Sequence, residues 1–286
     1  MFSLILDVNI NRVYNQVRYN LKSKVFHEQV IISLFEFNCL VIKLHLYKAL
    51  ELNIGKMNTL SFVGGGGKTT TIFKLAQELK SLNKKVLIST TTAMYIPDSE
   101  QYDYLFFKNI EKKFLPKGGT ISVLGEGIEN GKLRGLNILK LEKTINNRIY
   151  DHVLIEADGA KEMSIKAPAD YEPVVTRKTT ITIGMIGLDC LGKRIKEFVH
   201  RPELFIKITG KGYCDIIDEQ SIVKLVLHGN GTFKNSKGEK ILILNKCDNS
   251  RILSKATTIK TILQERGFKN NIVIADIKSR NFAKGI

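Results

Sequence analysis

An α/β fold, a mostly parallel sheet with helices on both faces, is what the sequence predicts, and three stretches carry the prediction. An apolar run at residues 60–63 feeds four glycines, Gly64, Gly65, Gly66 and Gly67, then Lys68, Thr69, Thr70 and Thr71. A helical pattern follows at Ile72, Phe73, Leu75, Ala76 and Leu79. Further on, His152-Val153-Leu154-Ile155 ends in Glu156-Ala157-Asp158-Gly159, and Ile241-Leu242-Ile243-Leu244 ends in Asn245-Lys246-Cys247-Asp248. Short apolar runs without polar alternation are the mark of strands buried on both faces, as in a parallel sheet.

The glycine stretch has the setting of a phosphate cradle: strand, glycine loop, helix. Glycines let backbone N–H groups turn toward anionic oxygens without Cβ clashes, and the helix that follows adds its positive end. Lys68 is expected at the β/γ-phosphates and the Thr69 hydroxyl at Mg²⁺, with Gly64 to Thr70 as the binding loop. The loop departs from G-x-x-x-x-G-K-[ST]: Phe62 stands where the first glycine belongs. It reads as a shortened P-loop.

Composition sets limits. The chain has 286 residues, 43% hydrophobic and 25% charged, which suits a soluble globular protein. Lys+Arg 44 against Asp+Glu 28 leaves +16. The lysines are scattered, without a dense basic block, so they read as a solvated surface and argue against a nucleic-acid partner. The four cysteines, Cys39, Cys190, Cys214 and Cys247, form no C-x-x-C pair. That argues against a zinc knuckle or disulfide framework and fits a reducing cytoplasm. No secretory signal is evident at the N-terminus, and the most apolar stretch, 30–42, is too short and polar to span a bilayer.

Taken in order, residues 1–43 form an N-terminal extension of unknown role, and 44–286 form the nucleotide-binding domain. A short helix is expected at 46–52, a strand at 59–63, a helix at 69–82 and a strand at 86–92. The first strand, helix and second strand make a βαβ unit, so Ser89 to Thr92 reach the glycine-loop edge. Further strands are expected at 104–107, 120–124, 180–186 and 272–274, and helices at 139–149, 219–227 and 254–266. Residues 161–173 read as a polar loop at the ligand edge with Lys166, Asp170 and Glu172. His200 and Arg201 precede Pro202 at a helix start.

Two strand ends carry chemistry. Glu156 and Asp158 lie two residues apart and are candidates, with Thr69, for holding Mg²⁺. With Lys68 they form the candidate catalytic set. Asn245-Lys246-Cys247-Asp248 matches N-K-x-D, in which the aspartate accepts from the guanine N1–H and 2-amino group. The lysine stem covers the base and the asparagine braces the loop, so GTP is favoured over ATP.

Together Val63-GGGGKTTT, STTT at 89–92, LIEADGAK at 154–161, KAPADYEP at 166–173, IGLDCLGK at 186–193, HRPE at 200–203 and NKCD at 245–248 occur in one order. In that order they resemble the YqeC family, selenium-dependent hydroxylase accessory proteins also called selenium cofactor biosynthesis proteins. The resemblance covers roughly residues 45 to 275. It implies a P-loop NTPase-like fold and a cytoplasmic accessory protein. Its client would be a selenium-dependent molybdenum hydroxylase or that enzyme's selenium cofactor. The loop also resembles that of Mur-type ligases, which keeps an ATP-dependent ligase or kinase open. A nucleotide-sensing adaptor without turnover is the third reading.

Overall fold

The computed structural model describes residues 45–279 and the backbone of 281–283. The extension expected at 1–43 lies outside the described residues. The described chain opens with α1 (Leu46–Ala49), β1 (Asn58–Gly64) and α2 (Lys68–Ser81). Then come β2 (Lys85–Thr90), β3 (Met94–Tyr95), β4 (Tyr104–Phe107), β5 (Thr120–Gly125), β6 (Ile128–Glu129) and β7 (Lys132–Leu133). α3 (Ile138–Asn146), β8 (His152–Glu156) and β9 (Ile165–Lys166) lead to β10 (Ile181–Gly187). The last third holds α4 (Ile195–Phe198), β11 (Val199–His200), α5 (Pro202–Thr209), α6 (Glu219–Leu227) and β12 (Glu239–Asn245). It closes with α7 (Ser250–Glu265), β13 (Asn271–Asp276) and β14 (Asn281–Ala283).

The main sheet runs β14-β13-β12-β10-β1-β8-β2-β5-β4. Its eight strands from β13 to β4 are all parallel, and β14 is an antiparallel edge. This is the expected α/β architecture, with one refinement. β1 and β2 are not neighbours, because β8 inserts between them, with Phe62 and Thr90 both opposite Glu156. From β2 the chain runs out to β4 at the edge and comes back through β5, which lies between them. It fills the gap with β8, then crosses to β10 on the other side of β1. Ligands in open α/β sheets sit where the strand order reverses in this way, beyond the C-terminal strand ends.

Side-chain alternation along each strand divides the core. Leu60 and Phe62 of β1, Ile241 and Ile243 of β12, and Val273 of β13 face α1 and α2. Leu242, Leu244, Ile272 and Ile274 face the layer of α5, α6 and α7. Leu87, Val153 and Ile155 face α3. Helices therefore cover both faces. Phe62 is fully buried beneath α2, and such burial stabilises by roughly 1.5–3 kcal/mol. The position where a longer loop would carry its first glycine is here a core position. Glu78 of α2 accepts from Leu46 N at 2.9 Å and Tyr47 N at 3.0 Å, fastening α1 to the helix that follows the glycine loop.

The structure differs from the expected elements where local signals are short. α7 begins four residues early because Asn249 caps it, accepting from Ile252 N at 3.0 Å. α3 stops at Asn146, and Arg148 turns left-handed with φ 52°. The ribbon β3-β7-β6 and the pair β9-β11 consist of two-residue strands, too short to show a period. Residues 161–173 are not a polar surface loop throughout: Ser164 to Ala169, Glu172 and Pro173 are buried. No described helix is long and apolar enough to cross a membrane.

Candidate functional site

β1 ends at Gly64, and the glycines carry the chain between β10 and the segment 163–164 with no room for side chains. A Cβ on Gly64 would lie 2.3 Å from Met185 O, on Gly65 2.6 Å from Met163 O, and on Gly66 2.2 Å from Gly187 N. Gly64, Gly66 and Gly67 have φ of 95°, 81° and 113°, values that L side chains rarely adopt. Not all of the loop's N–H groups face a ligand. Gly64 N donates to Asp158 Oδ2 at 3.0 Å, Gly65 N to Met185 O at 2.9 Å, and Gly66 N to Met163 O at 3.1 Å. The anion-facing donors are therefore those of Gly67 and the first turn of α2. Gly67 has no side chain with which to cap that turn.

Gly66, Gly67, Lys68, Thr69 and Thr70 line a cavity of about 440 Å³. Its other walls include Glu156 from the end of β8, Gly159 to Met163, Glu172, and Lys246 from the end of β12. Thr92, Ala93, Met94, Tyr95 and Lys132 complete it. Of the threonine-rich end of β2, only Thr92 faces this space. Ser89, Thr90 and Thr91 give their hydroxyl hydrogens to the backbone carbonyls of Leu124, Glu156 and Val174.

Lys68, Thr69, Glu156 and Asp158 converge. Thr69 Oγ1 donates to Glu156 Oε2 at 2.7 Å. Lys68 Nζ donates to Gly64 O at 2.6 Å and lies 3.1 Å from Asp158 Oδ1 and 3.9 Å from Glu156 Oε1. Asp158 Oδ1 is buried and has this ion pair but no well-aligned hydrogen bond. Burial raises the Glu156 carboxyl above its ordinary value, against the opposing pull of Lys68 and the Thr69 hydroxyl. Thr69 and Glu156 face the cavity with hard oxygen atoms of the kind Mg²⁺ takes alongside phosphate oxygens and water, whereas Asp158 lies behind Lys68 and does not line the cavity.

From Asp158 a line of buried charges leads away from the loop. Lys166 Nζ is 3.0 Å from Asp158 Oδ2 and 2.7 Å from Glu172 Oε2, and it donates to Gly159 O at 2.6 Å. Arg201 Nη1 meets the same Glu172 oxygen at 2.6 Å and stacks on Tyr171. Burial alone would raise the Glu172 carboxyl, but hydrogen bonds from Lys166 and Arg201 outweigh it and hold it below the usual range. Burial, with Arg201 and Lys166 nearby, lowers His200 to about 4. His200 is neutral at pH 7, so it is no imidazolium acid there.

The N-K-x-D segment divides. Asn245 Nδ2 donates to Gly66 O at 2.7 Å, and its Oδ1 accepts from Ile277 N at 3.0 Å. Lys246, left-handed at φ 63°, donates to Ser164 Oγ at 2.7 Å and pairs with Asp189 Oδ2 at 2.9 Å. Asp248 is exposed, with Asn249 Nδ2 on its Oδ1 at 2.7 Å, and does not line the cavity.

A family model described as YqeC protein matches residues 60–203. A protein of Escherichia coli (strain K12), described as "Uncharacterized protein YqeC", is 32% identical over 196 residues. The match spans 65% of this chain and 75% of that protein. The chain belongs to the YqeC family.

The segment matched to the YqeC model contains the glycine loop, both acids and the whole Lys166–Glu172–Arg201 line, and it ends before Asn245. In this YqeC chain Tyr95 and Lys132 are cavity residues that the sequence does not single out. Lys132 Nζ lies 4.6 Å over the Tyr95 ring, and the Tyr95 hydroxyl donates to Glu162 across the cavity. That bond raises the Tyr95 phenol above its ordinary value. Both residues stand on two-residue strands, where no pattern marks them.

Proposed function

We propose that this YqeC protein binds a magnesium nucleoside triphosphate and hydrolyses it, with GTP favoured over ATP. The observation that carries the reading is the convergence of Lys68, Thr69 and Glu156 on one cavity at the N-terminus of α2, with Asp158 buried behind Lys68 at 3.1 Å. In this reading Lys68 exchanges Asp158 for the β/γ-phosphates, and Thr69 and Glu156 hold Mg²⁺. The ion would neutralise charge on the β and γ oxygens. Water adds at the γ-phosphorus, and the bridging oxygen leaves with the diphosphate. Release of Lys68 alters the partners of Asp158, and so of Lys166, Glu172 and Arg201, which supports a reordering of residues 159–173 with nucleotide state. The proposed role is that of a cytoplasmic accessory factor in the maturation of a selenium-dependent molybdenum hydroxylase or its cofactor, and it rests on the family resemblance.

The test is a titration of GTP and ATP, with and without Mg²⁺, on the native protein and Lys68→Ala. Loss of a charged contact to phosphate is expected to weaken Mg-GTP by about 10- to 100-fold. Equal binding by the two proteins removes the site. The guanine preference stands on Asp248 with Asn245 and Lys246, and it has its own test. Asp248→Asn is expected to weaken GTP by about 10-fold or more and to admit the xanthine nucleotide. Unchanged selectivity in that variant removes the preference for guanine and leaves nucleotide binding in place.

A further inference from the structure

A second cavity of about 440 Å³ adjoins the first, and the two share Thr69, Thr70 and Tyr95 as walls. It runs along the flank of α2, where Phe73 and Gln77 follow Thr69 and Thr70 at one-turn spacing. Opposite lie Ile96 and Pro97, and Ile277 closes the third side. The chemistry of the two spaces differs. The first is faced by Lys68, Glu156 and the helix N-terminus, which suits phosphates. The second has a mixed lining: Phe73, Tyr95, Ile96, Pro97 and Ile277 offer apolar surface, and Lys74, Gln77, Asp98, Gln101 and Lys278 offer polar groups, a combination that suits a planar base with its ribose hydroxyls.

The apolar wall is fixed to the glycine loop. One amide, Asn245, binds Gly66 O through Nδ2 and Ile277 N through Oδ1. Lys74 Nζ donates to Ile277 O at 2.5 Å, tying the same wall to α2. A ligand with phosphates against Gly67 and Thr69 and an aromatic group against Ile277 would thus find both parts in set register. Ile277 continues β13, the neighbour of the strand that ends in Asn245 to Asp248. The second cavity is therefore linked to the N-K-x-D segment through the Asn245–Ile277 bond, although no residue of that segment lines it.

We propose that the nucleoside half of the nucleotide seats in this second cavity, between Phe73, Ile96, Pro97 and Ile277, with Tyr95 at the junction to the phosphates. The proposal rests on the nucleotide reading above and assigns a subsite within it.

Two variants fill the space from opposite walls: Ile96→Trp and Gln77→Trp, the second at an exposed position. Each is titrated with Mg-GTP and with Mg-tripolyphosphate, which carries no nucleoside. Both variants are expected to lose GTP affinity by about tenfold or more while tripolyphosphate stays within about twofold of the native protein. The native chain contains no tryptophan, so the new indole also reports alone. Its emission should change with GTP and not with tripolyphosphate. Native GTP affinity in both variants overturns the proposal, as does equal loss of GTP and tripolyphosphate in both. If native protein binds neither ligand, the nucleotide reading itself has failed, a result distinct from either of those.

Discussion

Gly66→Ala is expected to lower the melting temperature by about 6–12 °C and to abolish nucleotide binding. Two costs combine. The residue has φ 81°, where a Cβ strains the backbone by about 1–3 kcal/mol. The new methyl would also lie 2.2 Å from Gly187 N and 2.6 Å from Gly187 Cα. Those atoms are backbone at the end of β10, held by the Gly187 N to Ser164 O bond at 2.8 Å, so they do not swing aside as a flexible side chain would. Either the loop lifts or the strand end moves. A lifted loop loses the Gly66 N to Met163 O and Asn245 Nδ2 to Gly66 O bonds together. The total loss is about 3 kcal/mol or more. Gly127→Ala is the control, since a Cβ there meets nothing within 4 Å and its φ is not positive. Thermal melting and GTP titration of the two variants check the contrast. A Gly66→Ala protein that melts like the native one would show that the loop packs less tightly than its contacts indicate.

The same contacts explain why some of this site is legible in sequence and some is not. The strand–glycines–helix unit shows itself because each part carries its own local signature: an apolar run, a run of residues without Cβ, and a helical period. The acids at the end of β8 show themselves because an apolar strand that stops in carboxylates is unusual. Lys166, Glu172 and Arg201 also stand out as charged residues near the ligand edge. Their arrangement does not, because it depends on Ile165–Lys166 pairing with Val199–His200, two short strands far apart in the chain. Residues 161–173 read as a polar loop, yet 164–169 within them are buried, their lysine neutralised by Asp158 and Glu172. The N-K-x-D segment shows the opposite limit. Its spacing names four residues, and the structure brings Asn245 and Lys246 to the glycine loop and its neighbours while Asp248 stays exposed.

Glu156→Gln is expected to make the protein more stable while removing the proposed nucleotide hydrolysis. Burial raises the Glu156 carboxyl above its usual value of 4.5. The folded state therefore binds more protons than the unfolded state from that value upward, through the raised folded value. In that window stability falls as pH rises, because a buried carboxylate must lose its proton in poor solvation. Glutamine keeps the shape and an acceptor for the Thr69 hydroxyl but never ionises. The melting temperature of Glu156→Gln should approach that of the native protein below pH 4.5, where the carboxyl is protonated in both folded and unfolded states. It should exceed the native value at neutral pH, where the buried carboxylate has had to ionise. Lys68 keeps Asp158 at 3.1 Å as its closer partner, so the substitution does not leave that ammonium alone. The proposed hydrolysis of Mg-GTP should fall by about 100-fold or more, because the acid bonded to the Thr69 hydroxyl is lost. A Glu156→Gln protein that is more stable than the native one at pH 7 would support the proposed role of Glu156 at a cation over a role in packing. A variant that is less stable than the native protein at pH 7 would mean that Glu156 serves the fold, and it would leave Asp158 as the acid of the site.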